Sequence, residues 1–115
     1  MNPYWSLIFA AYLLLATPTA AQEQAVLGQG NVSCRSWLDD RADDAVQSAG
    51  RTAWILGYLT GFNQYGSRPR GDVTRGKGTE EIMSRIDDYC SEHPSDNLYQ
   101  ASAALIEELR QPLNR

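Results

Sequence analysis

Four stretches of this chain place their bulky apolar residues at helical intervals, and the segments between them show no period at all. Ser33 is positioned to cap a first, short helix whose inward residues are Cys34, Trp37, Leu38 and Ala42, with Asp39, Asp40, Asp43 and Asp44 turned to water. The polar Ser48-Ala49-Gly50 then reads either as a break or as a loose start to the next helix. From Arg51 to Tyr65, the residues Trp54, Ile55, Tyr58, Leu59, Phe62 and Tyr65 form one broad helical face, and alternation with period two fits them badly. Thr79 is the expected cap of a third helix, with Glu80 and Glu81 in its first turn and Ile82, Met83, Ile86, Tyr89 and Cys90 as its inner stripe. His93-Pro94 stops it. Ser95 is the expected cap of the last helix, in which Leu98, Ala101, Ser102, Leu105 and Leu109 repeat at helical spacing until Pro112. The pattern predicts an all-α, four-helix domain, and no strand or internal repeat is visible.

Two glycines interrupt the longest apolar face. Gly57 and Gly61 lie four apart beside the stripe, and each costs a helix interior about 1 kcal/mol relative to alanine. The expectation is that they admit a second backbone, so that Trp54, Gly57, Tyr58, Gly61 and Phe62 form the helix-packing surface. Between the second and third helices runs Gly66 to Gly78, a long loop with no hydrophobic repeat. Loops of that length in small domains are functional or disordered.

The beginning of the chain differs from the rest. Residues 1–21 carry no charged side chain, hold an apolar run from Leu7 to Ala16, and end in Thr19 and Ala21 at the positions a signal peptidase favours. The run is shorter than the roughly 20 residues that span a bilayer. Residues 1–21 are therefore expected to be a signal peptide, 22–32 a flexible leader, and 33–111 the helical domain, with no stable membrane anchor after cleavage. Export changes how the two cysteines are understood. In an oxidising compartment Cys34 and Cys90 are most simply a disulfide, because zinc would want more ligands than two thiols and one histidine, and the C-x-x-C spacing of thiol redox sites is missing. Closing that span predicts roughly 4 kcal/mol of stabilisation through loop entropy.

Charge narrows the partners. The net charge of −4 gives no general attraction to nucleic acid or anionic lipid. Against it stands the loop between helices two and three, where Arg68, Arg70, Arg75 and Lys77 face Asp72 alone; this patch suits an acidic protein surface, and it lacks the interleaved aromatics that stack nucleic acid bases. His93, the one histidine, has no evident nucleophile to activate and is placed to meet the last carbonyls of the third helix. The neighbouring carboxylates Asp39-Asp40, Asp43-Asp44, Asp87-Asp88 and Glu107-Glu108 point about 100° apart on a helix, so adjacency does not converge them on one ion. They read as a solvated acidic face. No catalytic residue, metal ligand set or cofactor motif is identified, and the sequence points away from an enzyme.

Taken together, the segments SCRSW, WILGYLTGFN and IDDYCSEHPSDNLYQASAALIEEL resemble the small periplasmic helical proteins of the Tai/Rap type, the immunity proteins of type VI secretion. The similarity runs from Ser33 to Leu109, and a more distant one leads to the HdeA-type acid chaperones. The first resemblance implies a periplasmic protein-binding module, often dimeric, that blocks a secreted peptidoglycan hydrolase with a protruding loop. The second implies a periplasmic chaperone that exposes apolar surface when acid protonates its carboxylates.

Overall fold

A computed structural model describes residues 25–66 and 71–111. The predicted signal peptide, residues 22–24 of the leader, and Arg68 and Arg70 lie outside the described residues. Four α-helices form the domain: α1 (Cys34–Asp43), α2 (Ala45–Gly61), α3 (Thr79–Glu92) and α4 (Leu98–Arg110). Among the described residues there is no strand, only one antiparallel bridge between Ser33 and Asn97. No helix of these residues is long and apolar enough to cross a membrane.

The core is built from the predicted stripes. Trp37, Ile55, Leu59, Ile82, Met83, Ile86, Leu98, Leu105 and Leu109 are buried around the Cys34–Cys90 disulfide, whose Cα atoms stand 4.8 Å apart. Burying each large aliphatic side chain contributes about 1.5–3 kcal/mol, so the four amphipathic faces hold one another in place. The disulfide then ties α1 to α3 across 56 positions of sequence. Ala42, expected inside, is exposed, because α1 ends at Asp43 and its last turn leaves the core.

Helix boundaries follow hydrogen bonds that spacing alone does not reveal. Ser33 caps α1 as expected, its hydroxyl accepting from the Ser36 amide at 3.1 Å. Asp44 caps α2 by accepting from the Gln47 amide, so the helix begins at Ala45 and runs unbroken through Ser48-Ala49-Gly50. Thr79 is not a cap: it is the first helical residue of α3, after Gly78, which offers no side chain. Ser95 is not one either, because Asn97 and Gln100 form a reciprocal capping box at the start of α4. Pro94 and Asp96 are engaged elsewhere, their carbonyls accepting the Arg35 and Cys34 amides that α1 cannot satisfy internally.

Three further expectations need correction. The leader is not flexible where it is described: Gly28–Asn31 forms a 3-10 turn against α2, and the Leu27 carbonyl accepts from the Trp54 indole at 2.9 Å. The two helix glycines do not admit a neighbouring backbone. A Cβ at Gly57 or Gly61 would meet nothing within 4 Å among the described residues, since Gly57 stands about 200° around the helix from both Ile55 and Leu59. Trp54, Tyr58 and Phe62 do pack, partly buried, against the core. Finally Tyr65 is 83% exposed, because the helix widens into a π-helical turn over Phe62–Gly66 and carries Tyr65 off the apolar stripe.

Two glycines are required for packing, Gly66 against the Phe62 ring and, more tightly, Gly30. A Cβ there would lie 2.2 Å from Trp54 Cζ2 and 2.7 Å from Val26 Cγ1. Gly30→Ala should therefore lift the 25–31 segment from the indole at a cost of about 1–3 kcal/mol. Urea unfolding followed by tryptophan emission checks this, with Gly50→Ala as the opposite case: a Cβ at Gly50 meets nothing within 4 Å, so alanine inside α2 should stabilise by up to about 1 kcal/mol.

Candidate functional site

Of the predicted basic patch, Arg75 and Lys77 are described, and both belong to a turn organised by one carboxylate. Asp72 Oδ1 accepts from the Thr74 hydroxyl at 2.6 Å and the Thr74 amide at 2.9 Å, and Oδ2 accepts from the Gly76 amide at 2.9 Å. Asn63, on the π-helical turn, adds a second anchor: its carbonyl oxygen accepts from the Val73 amide at 2.7 Å and its amide reaches Asp72 at 3.3 Å. Val73 and Thr74 are buried by these contacts. The second half of the predicted long loop is thus a fixed turn, and within it Arg75 takes the left-handed conformation, φ 53°, followed by Gly76 at φ 77°. Left-handed backbone is unfavourable for a residue with a Cβ, so the Asp72 bonds are what hold it. Arg75 is exposed, Lys77 half-buried, and neither forms an ion pair among the described residues. Both lie next to a well-anchored backbone.

A second surface was not foreseen from sequence. Ala25, Val26, Leu27, Trp54, Tyr58 and Tyr99, with Gly57, line a cleft of about 490 Å³. Trp54 and Tyr58 stack with centroids 5.5 Å apart, and Tyr99 meets Tyr58 edge-on at 5.7 Å. Burial raises the Tyr58 phenol above its ordinary pKa, with the neighbouring Tyr99 adding to the shift. The aromatic residues of α2 were visible in the sequence, but Leu27 was hidden in the presumed leader and Tyr99 lies off the α4 stripe. Only the structure brings them together.

The acidic residues divide into structural and solvated sets. Asp87 accepts from the Trp37 indole at 2.8 Å and from two nitrogens of Arg41, at 2.9 Å to Nη2, while the Arg41 guanidinium lies 5.4 Å from the Trp37 ring centroid. The hydrogen bonds that Arg41 donates to Asp87 raise the Arg41 pKa. Asp40 pairs with Arg51, both largely shielded from water. Asp39, Asp43 and Asp88 remain exposed, as expected of a solvated face. A second cleft, between α3 and α4, is lined by Glu81, Asp88, Glu92 and Glu108, with Arg85 pairing with Glu81 and Glu108. No group of three or more His, Cys, Asp or Glu among the described residues is placed to hold a metal ion.

His93 ends α3 in the role assigned to it. Its Nδ1 lies 3.0 Å from the Tyr89 carbonyl and its ring stacks on Tyr89 at 4.3 Å. Tyr89 in turn donates its hydroxyl to Asp96 at 2.5 Å. His93 is exposed, Tyr89 and Asp96 are half-buried, and the group's hydrogen bonds close on themselves.

Two titrations test these contacts. The hydrogen bond to Asp96 pushes the Tyr89 phenol up to about 12, so its contribution to stability is complete below the ordinary tyrosine value of about 10 and is lost as pH rises through about 12. Phenolate absorbance should show one tyrosine titrating late, and Asp96→Asn should bring it back toward the others. The Asp72 carboxyl is held below its usual range, first by the Thr74 hydroxyl and then by the Gly76 amide. Its stabilisation is therefore present above about 3.8 and disappears as pH falls through the lowered value, which amide exchange at Gly76 will report. No family model, curated protein or solved structure matches this chain.

Proposed function

We propose that this chain is a periplasmic protein-binding module whose contact element is the Asp72-anchored turn, and that its partner is a secreted cell-wall hydrolase, as for the immunity proteins it resembles. The supporting observation is the pairing of free charge with rigid backbone. In a protein of net charge −4, Arg75 and Lys77 are cations without an ion-pair partner among the described residues, on a turn fixed by Asp72 and Asn63. Such a turn loses little conformational freedom on docking, and complementary charge speeds encounter with an acidic cleft. The exposed Tyr65, displaced by the π-helical turn, sits close in sequence and supplies the aromatic contact that interfaces favour. Arg68 and Arg70 extend the same basic segment in sequence.

Recovery of partners from periplasmic extract tests this directly. Changing Arg68, Arg70, Arg75 and Lys77 to Ser should abolish capture of the hydrolase and leave the Tm unchanged. Equal recovery by both proteins removes the turn from the account.

One observation favours a second function, that of an acid-activated chaperone of the HdeA type. Carboxylates hold the domain's outer contacts: Asp87 joins α3 to Trp37 and Arg41, and Asp72 folds the turn. Protonating them would loosen elements over an apolar core that the disulfide keeps together. On this account the protein suppresses client aggregation near about pH 2–3 and not at neutrality. Asp87→Asn should reproduce part of the effect at pH 7 by removing the carboxylate charge that Arg41 and the Trp37 indole share, costing about 1.5–3 kcal/mol of stability by urea unfolding, while Asp39→Asn costs close to nothing.

A further inference from the structure

The aromatic cleft between the 25–31 segment, α2 and α4 takes no part in the proposed partner contact, and its walls are of one chemical kind. Trp54 and Tyr58 stand one turn apart on α2 with their ring planes 14° from parallel, and Tyr99 of α4 stands at 87° to Tyr58. Three π-systems thus line a space of about 490 Å³ in two orientations, and Ala25, Val26 and Leu27 close much of the rest. None of the described lining residues is charged. The Trp54 indole N–H is taken by the Leu27 carbonyl at 2.9 Å, so this side chain offers the cleft its ring and no donor. The same bond fixes the ring before any ligand arrives, together with the close approach of Gly30, where a Cβ would lie 2.2 Å from Trp54 Cζ2.

We propose that this cleft binds a small, free quaternary ammonium compound such as choline, through cation–π contact with Trp54, Tyr58 and Tyr99. Charge selects the class. The face of an aromatic ring carries the negative part of its quadrupole and attracts a cation held within about 6 Å of the centroid. The net charge of −4 acts in the same direction at longer range, and no lysine, arginine or histidine among the described lining residues opposes it. An anion would meet three negative ring faces and no cationic partner. Hydrogen bonding narrows the class further. A primary ammonium group brings three N–H donors, for which the lining side chains hold no carboxylate; a trimethylammonium group has no N–H to satisfy and presents methyl groups to apolar walls.

Size and setting agree with a free small molecule. A volume of about 490 Å³ falls within the roughly 300–1,000 Å³ of small-molecule sites. The basic residues that hold a protein on a lipid surface are missing from the described walls, which favours the free compound over the same group on a lipid. The site uses neither Arg75 nor Lys77, so its failure and that of the proposed partner contact are separable.

Choline titrated into the purified protein at constant ionic strength, followed by calorimetry and tryptophan emission, should show saturable one-site binding below about 10 mM. Its uncharged carbon isostere, with a tert-butyl group in place of trimethylammonium, should bind at least about tenfold more weakly. Tyr99 is half-buried and lies off the inner stripe of α4, so Tyr99→Leu and Tyr99→Phe should both keep the helical circular dichroism and Tm. Tyr99→Leu should weaken choline binding at least about fivefold, whereas Tyr99→Phe, which keeps the ring, should retain it. No saturation up to about 100 mM choline overturns the proposal, as does equal affinity for the isostere. So does undiminished binding by Tyr99→Leu, a loss in Tyr99→Phe as large as in Tyr99→Leu, or binding to phosphatidylcholine vesicles with none to choline.

Discussion

Everything in this domain converges on the junction where the start of α1 meets the connection between α3 and α4. There the Cys34–Cys90 disulfide lies beside the bridge between Ser33 and Asn97, two residues that each cap their own helix. The Cys34 and Arg35 amides are taken by the carbonyls of Asp96 and Pro94, the Ser36 amide by the Ser33 hydroxyl, and the Leu98 amide returns a bond to Val32. A helix N-terminus leaves four amides without internal partners, and burying them unsatisfied would cost more than the neighbouring apolar contacts return. Here two of them are satisfied by the segment that the disulfide holds close and the others by Ser33. That lets a small chain bury Cys34, Trp37, Cys90 and Leu98 completely at the same point.

The acidic residues show how little adjacency in sequence says about role. Asp87 is bonded to Trp37 and Arg41 while Asp88 is exposed; Asp40 pairs with Arg51 while Asp39 is exposed. In each pair a rotation of about 100° separates a carboxylate that can reach the neighbouring helix from one that cannot. What looked like one solvated face is therefore partly an electrostatic seam between α1, α2 and α3. Its members are half-shielded, so their loss is felt in stability more than that of an exposed carboxylate.

Much of the fold was legible because burial leaves a periodic trace. The stripes of α3 and α4 predicted Ile82, Met83, Ile86, Leu98, Leu105 and Leu109 as core, and two cysteines in a chain expected to be exported predicted the disulfide. What escaped notice depends on contacts between distant residues. Asn97 displaces Ser95 as a cap because residues 94–96 are recruited by α1, and Gly28–Asn31 is ordered by the Trp54 ring, which no local pattern announces. Of the candidate surfaces, the basic turn was signalled by charge, whereas the aromatic cleft needs Leu27, Trp54 and Tyr99 from three separate parts of the chain.

The glycines and the π-helical turn bear on one another. As long as α2 keeps its regular period, Ile55 and Leu59 face inward and Gly57 faces out, so the helix has one apolar side that is used and one uncharged side that the domain leaves open. At Phe62 the period changes, and two consequences follow from that single irregularity. Asn63 is placed to bind Asp72 and the Val73 amide, and Tyr65 is turned to solvent. An ordinary last turn would have kept Tyr65 in register with the apolar stripe. π-helical turns shift the pairing to residues five apart, are rare, and are found frequently at functional sites. In this chain the gain is a second anchoring point for the turn that carries Arg75, so the proposed contact element is held by α2 itself and does not rely on a long unsupported loop.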